Sequence, residues 1–402
     1  MDIEEQGGLT SPRGYYASGI HCGVKKMKKD LALLFSETPA RAAGIFTTNK
    51  VPAAPVLVDK YQLERSSRFR AIVVNSGNAN ACTGGRGYND AWDMVKSAAA
   101  TLRVSEREVL VSSTGVIGQY LPMDKITNGI HEAVEMLDGD GHTAAAEAIM
   151  TTDKFSKEFS VKVDLGGVEV IIGGMAKGSG MIAPNMATML AFITTDANIS
   201  SELLQFSLKH AADRSFNRIS VDGDTSTNDM VLVLANGLAG NIKLTDQFDP
   251  AYLKFYEAFE YILMRLSKMI VMDGEGATKF IEIRVKDAKT EEAAVQAAKA
   301  IANSNLVKTA IHGEDANWGR IIAAVGYSGI DFNPDHVVIF FDDVPILGRC
   351  YKINFSEEEA ARVLKQKEIK ITVNLNQGSA AASFWTCDLS QDYVAINANY
   401  RT

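Results

Sequence analysis

The sequence predicts an α/β protein whose polar loops are carried on the ends of short apolar strands. Three observations predict it. Ala71–Val74 is an apolar run that passes straight into Asn75-Ser76-Gly77-Asn78-Ala79-Asn80, and a helical pattern follows over about Tyr88 to Leu102. Val109–Val111 likewise ends in Ser112-Ser113-Thr114-Gly115-Val116-Ile117-Gly118. Past residue 275, strand and helix patterns alternate in a smaller α/β unit, so a domain boundary is placed there, giving 1–275 and 276–402.

The remaining elements follow in order. Gly8, Pro12, Gly14, Gly19 and Gly23 punctuate a loop and a first strand. The basic cluster Lys25–Lys29 reads as a solvated turn, and Leu31–Phe35 and Ala42–Thr47 as two strands. Helices are expected over Asp124–Leu137 and Thr143–Met150, then strands over Glu158–Val163 and Val168–Gly173. Ser200 or Ser201 caps a helix over Glu202–Ala212, because a hydroxyl accepts from the free N–H groups of a first turn. Ala251–Met272 is a long helical stretch, and Phe280–Val285 alternates as a strand. Thr290–Ala302 opens with Glu291 and Glu292 at the positive end of its helix. Val338–Phe341 and Ile369–Leu375 read as strands, Ser356–Glu359 as a capping box, and Tyr393–Ile396 as an apolar strand before the final residues.

Bulk properties exclude several classes. The 402 residues are 46% hydrophobic and 22% charged, the balance of an ordinary soluble globular chain. A net charge of −8 argues against a nucleic-acid partner, which calls for a basic surface. No apolar run reaches the ~18 residues of a membrane span, and the acidic start Met1-Asp2-Ile3-Glu4-Glu5 lacks the basic and apolar regions of a signal peptide, so a cytoplasmic location is expected. Cys22, Cys82, Cys350 and Cys387 form no CxxC pair and fit no zinc spacing. Phosphate-loop, dinucleotide-fold, zincin and serine-hydrolase motifs are absent.

The stretch Lys177-Gly178-Ser179-Gly180-Met181-Ile182-Ala183-Pro184-Asn185-Met186-Ala187-Thr188-Met189-Leu190 places a threonine between a flexible, glycine-rich loop and an apolar strand. A nucleophile needs that setting, open on one side and rigidly held on the other. A structural threonine whose hydroxyl is satisfied by backbone also fits it. At Thr114-Gly115 the backbone N–H groups of a glycine turn can cradle an oxyanion, although such strand-end loops are common. Asn217–Asp229 is the most polar loop. Asp222, Asp224 and Asp229 invite a metal reading but lack the glycine and terminal glutamate of a calcium loop, so a hydrogen-bonded Asx-type loop lining the site is preferred, with no metal.

These segments resemble the ornithine acetyltransferase (ArgJ) family, the glutamate N-acetyltransferases of arginine biosynthesis. The likeness spans Arg41–Asn49, the loops at 75 and 114, Met150–Asp153, 177–190, 217–229, 273–279, Leu306–Ala310 with Gly313–Arg320, and Asn397–Thr402, in the family's order. His312 falls where an aromatic residue is expected, Asn399 where an acid is expected, and Ser383–Thr386 before Cys387 is idiosyncratic. The resemblance implies a layered αββα core of the DmpA/ArgJ-like type with a smaller C-terminal α/β domain. It implies autocatalytic cleavage between Ala187 and Thr188, giving chains 1–187 and 188–402 that assemble as a heterotetramer of two of each. It implies that Thr188 is the nucleophile, that Thr114 and Gly115 form the oxyanion hole, and that Thr152, Lys177, Thr188, Glu275, Asn397 and Thr402 bind substrate, with the choice between Thr151 and Thr152 open. The tail would return to close the active site.

The implied reaction moves an acetyl group from N2-acetyl-L-ornithine to L-glutamate with no cofactor. The α-amine freed at Thr188 would have a pKa near ~7.7–8 and could act as base toward its own hydroxyl. Members of the family differ in whether acetyl-CoA is also a donor. Two other readings stand beside this one: an N-terminal-nucleophile amidase or aminopeptidase, in which water takes the acyl group, and a non-enzymatic binding protein with a structural Thr188.

Overall fold

The structure is a computed structural model that describes every residue except 1, 5, 184–188, 354 and 400–402. The strands are β1 (Asp2–Glu4), β2 (Tyr15–Ile20), β3 (Leu31–Phe46), β4 (Phe69–Asn78), β5 (Val109–Val116), β6 (Lys157–Asp164), β7 (Glu169–Lys177), β8 (Leu190–Thr195), β9 (Ile219–Ser220), β10 (Met230–Ala235), β11 (Phe280–Ala288), β12 (Val338–Phe341), β13 (Val344–Leu347), β14 (Glu368–Asn374) and β15 (Ala380–Cys387). The helices are α1 (Ala54–Arg65), α2 (Gly84–Leu102), α3 (Met123–Glu135), α4 (His142–Ile149), α5 (Ser201–Arg214), α6 (Pro250–Met272), α7 (Glu291–Ala302), α8 (Asn305–His312), α9 (Trp318–Gly326), α10 (Glu357–Leu364) and α11 (Gln391–Ala398). The chain divides into two compact units, Met1–Asn217 with Asp224–Ile270, and Arg218–Gly223 with Val271–Thr402.

In the first unit, among the described residues, strands join in the order β1-β6-β7-β8-β10-β3-β4-β5, with β2 also on β3. The long strand β3 is the joint. Its first half pairs with β2 and β4, its second half with β10, and the register shifts between Phe35 and Ala40. The two strands expected at 31–35 and 42–47 are therefore one. Pro39 within the shift has no N–H to give a ladder, which suits an irregular corner.

Alternation along β4 explains the layers. Ala71 and Val73 share a core with Val58, Met94, Val95, Ile126 and Ile130 of helices α1 to α3. Ile72 and Val74 share another with Met175, Phe192 and Leu232 of β7, β8 and β10. Successive side chains leave a strand on opposite faces, so a wholly apolar run is buried on both. Helix α6 lies on the far side of β7: a Cβ built on Gly174 would sit 2.9 Å from Leu266 Cδ1. Helix, sheet, sheet and helix are thus stacked in the expected αββα order.

The second unit is built on a sheet of order β13-β12-β14-β11-β15-β9. Ile281, Ile283 and Val285 of β11 pack with Ala294, Ala297, Ala298 and Ile301 of α7. Of the caps read in the sequence, Ser200 Oγ accepts from Leu203 N (3.1 Å), and the hydroxyl half of the box at Ser356–Glu359 is present, Ser356 Oγ accepting from Glu359 N (3.4 Å); Thr290, read as the first residue of its helix, is instead its cap, its Oγ1 accepting from Ala293 N (3.2 Å).

A further reading is corrected. Tyr393–Ile396 is not a strand but the middle of α11, which Ser390 opens by accepting from Asp392 N (3.2 Å). Four apolar residues cannot distinguish a strand from a helical turn. Helix α1 was not expected, because its buried face carries Asp59 and Gln62 beside Val56 and Val58, which blurs the apolar stripe. No described helix is long and apolar enough to cross a membrane, and all four cysteines are free.

Candidate active site

The expected oxyanion residues stand at the end of β5. Thr114 lies opposite Ser76, and Gly115 opposite Gly77, in the parallel β4–β5 ladder. Gly115 has φ +133°, and a Cβ there would fall 2.3 Å from the carbonyl carbon of Gly77, so no side chain fits. Gly77 itself has φ +99°.

The asparagines around this corner are brackets. Asn75 Nδ2 donates to Asn78 O (2.9 Å), and Ser113 Oγ donates to Asn75 Oδ1 (2.6 Å). Asn228 Nδ2 donates to both Ala79 O (2.6 Å) and Ser113 O (2.7 Å), tying the 75–80 loop to β5. A backbone fixed by side-chain amides needs no reorganisation when charge develops beside it.

A second group surrounds Asp153, which is buried with its partner Lys157. Asp153 Oδ1 accepts from Lys157 Nζ (2.7 Å) and Gly178 N (2.8 Å), and Oδ2 from Thr151 N (2.9 Å). Burial pushes this carboxyl up, but the ammonium groups of Lys157 and Lys177 prevail and hold it at about 2. One carboxylate thus fixes Thr151, next to Thr152, and Gly178, next to Lys177. Lys177 ends β7 opposite Leu190, the first residue of β8.

Lys25 corrects the expectation of a solvated turn at 25–29. Its ammonium donates to Lys29 O (2.8 Å) and Met150 O (2.6 Å), and its Cγ lies 3.0 Å from a Cβ built on Gly77. It therefore links the glycine corner to the Met150–Asp153 segment. Nothing in the run of lysines distinguishes this residue from its solvated neighbours.

Before the expected cleavage point, Ala183 is tethered. Thr225 Oγ1 donates to Ala183 O (2.8 Å), and Asn49 Nδ2 donates to Thr225 O (3.0 Å). Beyond it, Met189 O accepts from Met230 N (3.1 Å). Ala187, Thr188 and Thr402 lie outside the described residues. The polar loop at 217–229 divides between the units: Asn228 serves the first, while Asp222 accepts from Tyr393 OH (3.3 Å) in the second. Among the described residues no group of three or more metal-ligating side chains could hold an ion.

Within the second unit, Glu275 and Asn397 are brought together. Glu275 is buried, and its Oε2 accepts from Asn397 Nδ2 (2.8 Å). Gly276, at φ +70°, lets the loop run against α11, where a Cβ would fall 2.5 Å from Tyr393 N. Ser390 Oγ, which caps α11, also donates to Gly276 O (2.6 Å). His312, the departure noted in the sequence, shares a hydrogen bond of 2.7 Å between its Nδ1 and Asp388 Oδ2.

The chain matches the ArgJ family model over residues 16–402. It is 48% identical over 403 aligned positions to the arginine biosynthesis bifunctional protein ArgJ of Oceanobacillus iheyensis, covering 100% of this chain and 98% of the relative. It is 51% identical to the protein of the same name from Symbiobacterium thermophilum, covering 98% and 99%. It is also similar to the crystal structure of arginine biosynthesis bifunctional protein ArgJ from Bacillus halodurans, with 50% identity, a TM-score of 0.52, and coverage of 53% of this chain and 100% of that one. With a family model matched over nearly its whole length and relatives near half identity from end to end, the chain belongs to the ArgJ family.

Proposed function

We propose that this protein is a self-cleaving acyltransferase of arginine biosynthesis that moves the acetyl group of N2-acetyl-L-ornithine to L-glutamate through an acetyl-Thr188 ester. The observation that carries the reading is the near-complete match to relatives named as arginine biosynthesis bifunctional proteins. Cleavage between Ala187 and Thr188 would free the Thr188 α-amine. That amine takes the hydroxyl proton as Oγ attacks the acetyl carbonyl. The amide C–N bond breaks, and ornithine leaves with the proton. The α-amine of glutamate then attacks the ester, and Oγ is released and reprotonated.

Thr114 and Gly115 are assigned to the oxyanion, a role that the bracketed, glycine-only corner supports. Thr152, Lys177, Glu275, Asn397 and Thr402 are assigned to substrate. The buried carboxylate of Glu275 suits a substrate amine, and Lys177 a carboxylate. Acetyl-CoA is assigned as a second donor, in line with the word bifunctional in the relatives' names. The cut chains, of 187 and 215 residues, are assigned to an α2β2 assembly in the cytoplasm. The solved Bacillus halodurans chain supports a cut precursor, since it is matched whole by 53% of this chain, the share that 188–402 represents.

Intact-mass measurement and an acceptor assay test the reading. Purified wild type should appear as two chains and Thr188→Ala as one inactive chain of 402 residues. With N-acetylornithine as donor, N-acetylglutamate should form. Free acetate in its place would favour the amidase reading, and an uncut, inactive wild type the binding-protein reading.

A further inference from the structure

We propose that Lys25 is a further substrate-binding residue, whose ammonium acts with that of Lys177 to receive the carboxylate of the amino-acid substrate. The proposal rests on the acyltransferase reading above and adds a residue to its site.

The loop that carries Lys25 is folded around a buried carboxylate. Asp30 is 0% exposed; its Oδ1 accepts from Cys22 N (2.6 Å), and its Oδ2 from Gly23 N (3.1 Å) and Lys25 N (2.8 Å). This fixes the backbone from which the Lys25 side chain starts. The stem passes Gly77, the partner of Gly115 in the ladder, and its end reaches Met150 O. The half-buried ammonium is thereby anchored between the oxyanion corner and the Met150–Asp153 segment.

An ammonium has three protons. Two are committed, to Lys29 O and Met150 O, and no carboxylate among the described residues forms an ion pair with it. The charged groups that act on it are Asp30, Asp153, Lys28 and Lys177. Asp30 is occupied by backbone N–H groups, and Asp153 by Lys157, Gly178 and Thr151. A lysine normally extends its charge into water, and withdrawing one without a counter-ion is costly. Here the chain holds the ammonium inward, within electrostatic reach of Lys177, with one donor uncommitted. The missing partner is an anion, and each amino acid of the proposed reaction brings an α-carboxylate.

The test removes the carboxylate from the ligand and the charge from the protein in turn. N-acetylputrescine is N2-acetylornithine without its carboxylate. In a ping-pong reaction kcat/KM for the donor reports only the donor half-reaction, so both donors are compared with glutamate as acceptor, for wild type, Lys25→Met, Lys25→Gln and Lys25→Arg. Wild type should favour N-acetylornithine. Lys25→Met and Lys25→Gln should lose about 10- to 100-fold of that preference, the weight of one charge-assisted hydrogen bond, with kcat/KM for N-acetylputrescine little changed, while Lys25→Arg retains it. Gln preserves a donor for Met150 O, so it remains informative if Met disturbs the loop. Equal losses on both donors would mark Lys25 as a structural prop and overturn the proposal, as would an unchanged ratio. Wild type that acts on N-acetylornithine without discriminating against N-acetylputrescine overturns the carboxylate site alone. Wild type inactive on both donors overturns the acyltransferase reading and this inference with it.

Discussion

Two buried carboxylates, one in each unit, do similar local work with different partners. Asp153 accepts from two backbone N–H groups and from the ammonium of Lys157, itself fully buried. Asp388 accepts from Thr278 N and Lys279 N (both 2.8 Å), from Thr278 Oγ1 (2.6 Å), and has His312 Nδ1 at 2.7 Å. Burial pushes both carboxyls up, and their partners bring both below the ordinary range. Asp388 is a bracket: its neighbours pin the end of the 273–279 loop to the end of β15. Asp153 is a bracket that also holds cations in place, and one cation acting on it, Lys177, is a candidate substrate ligand. A carboxylate surrounded by N–H and O–H groups fixes shape; one surrounded by ammonium groups fixes shape and charge together.

The largest expected effect comes from Asp153→Asn. It leaves Lys157 buried without its counter-charge, which should cost roughly 3–5 kcal/mol of stability in a denaturant titration and abolish acetyl transfer. Replacing the pair, Asp153→Asn with Lys157→Met, should recover part of the stability but not the transfer, because the Thr151 and Gly178 brackets lose their charged acceptor. Recovery of activity in the double variant would break the contrast. Asp388→Asn should cost less, about 1–3 kcal/mol, since an amide oxygen still accepts from the backbone. His312→Gln, at a side chain 38% exposed, should cost under about 1 kcal/mol by the same titration.

Acid sharpens the comparison. A carboxyl depressed in the folded state contributes stability that is present above its unfolded pKa, near ~3.9, and is lost as pH falls through the folded value. For Asp153 that window runs from about 4 down to about 2. Wild type should therefore lose stability steeply there, and Asp153→Asn more gently. At the alkaline side, burial brings the Lys25 ammonium down to about 8, against the pull of Asp30 and Asp153 and helped by Lys28 and Lys177. Donor preference for the carboxylate should decline as pH rises through about 8 in wild type and persist in Lys25→Arg, whose guanidinium stays charged.

Much of this was legible in the sequence where one residue type has one local use. Glycine at 77 and 115 marks a backbone that admits no side chain, and Asn75 and Ser113 mark its hydrogen bonds. Ser200 and Ser356 announced their helices for the same reason. What escaped depends on contacts distant in sequence. Lys25 and Lys29 look alike along the chain, yet Lys29 pairs at the surface with Glu147 while Lys25 turns in to Met150. The Asp153–Lys157 pair is four residues apart but not on a helix, and only the fold decides that both are buried. The Asn228 bracket spans 149 positions to Ala79.

The strand order of the first unit bears on what a cut chain could do. Strands β8 and β10 come from beyond residue 188, yet they lie side by side between β7 and β3, which come from before it. A break anywhere between Lys177 and Leu190 leaves two polypeptides interleaved within one sheet. Neither could leave without unzipping two ladders and opening the apolar layer around Phe192 and Leu232. Expressed as separate genes, the halves would each present raw strand edges and would be expected to aggregate before meeting. The uncut chain is in that sense its own assembly chaperone, and its continuity matters most before the sheet has closed.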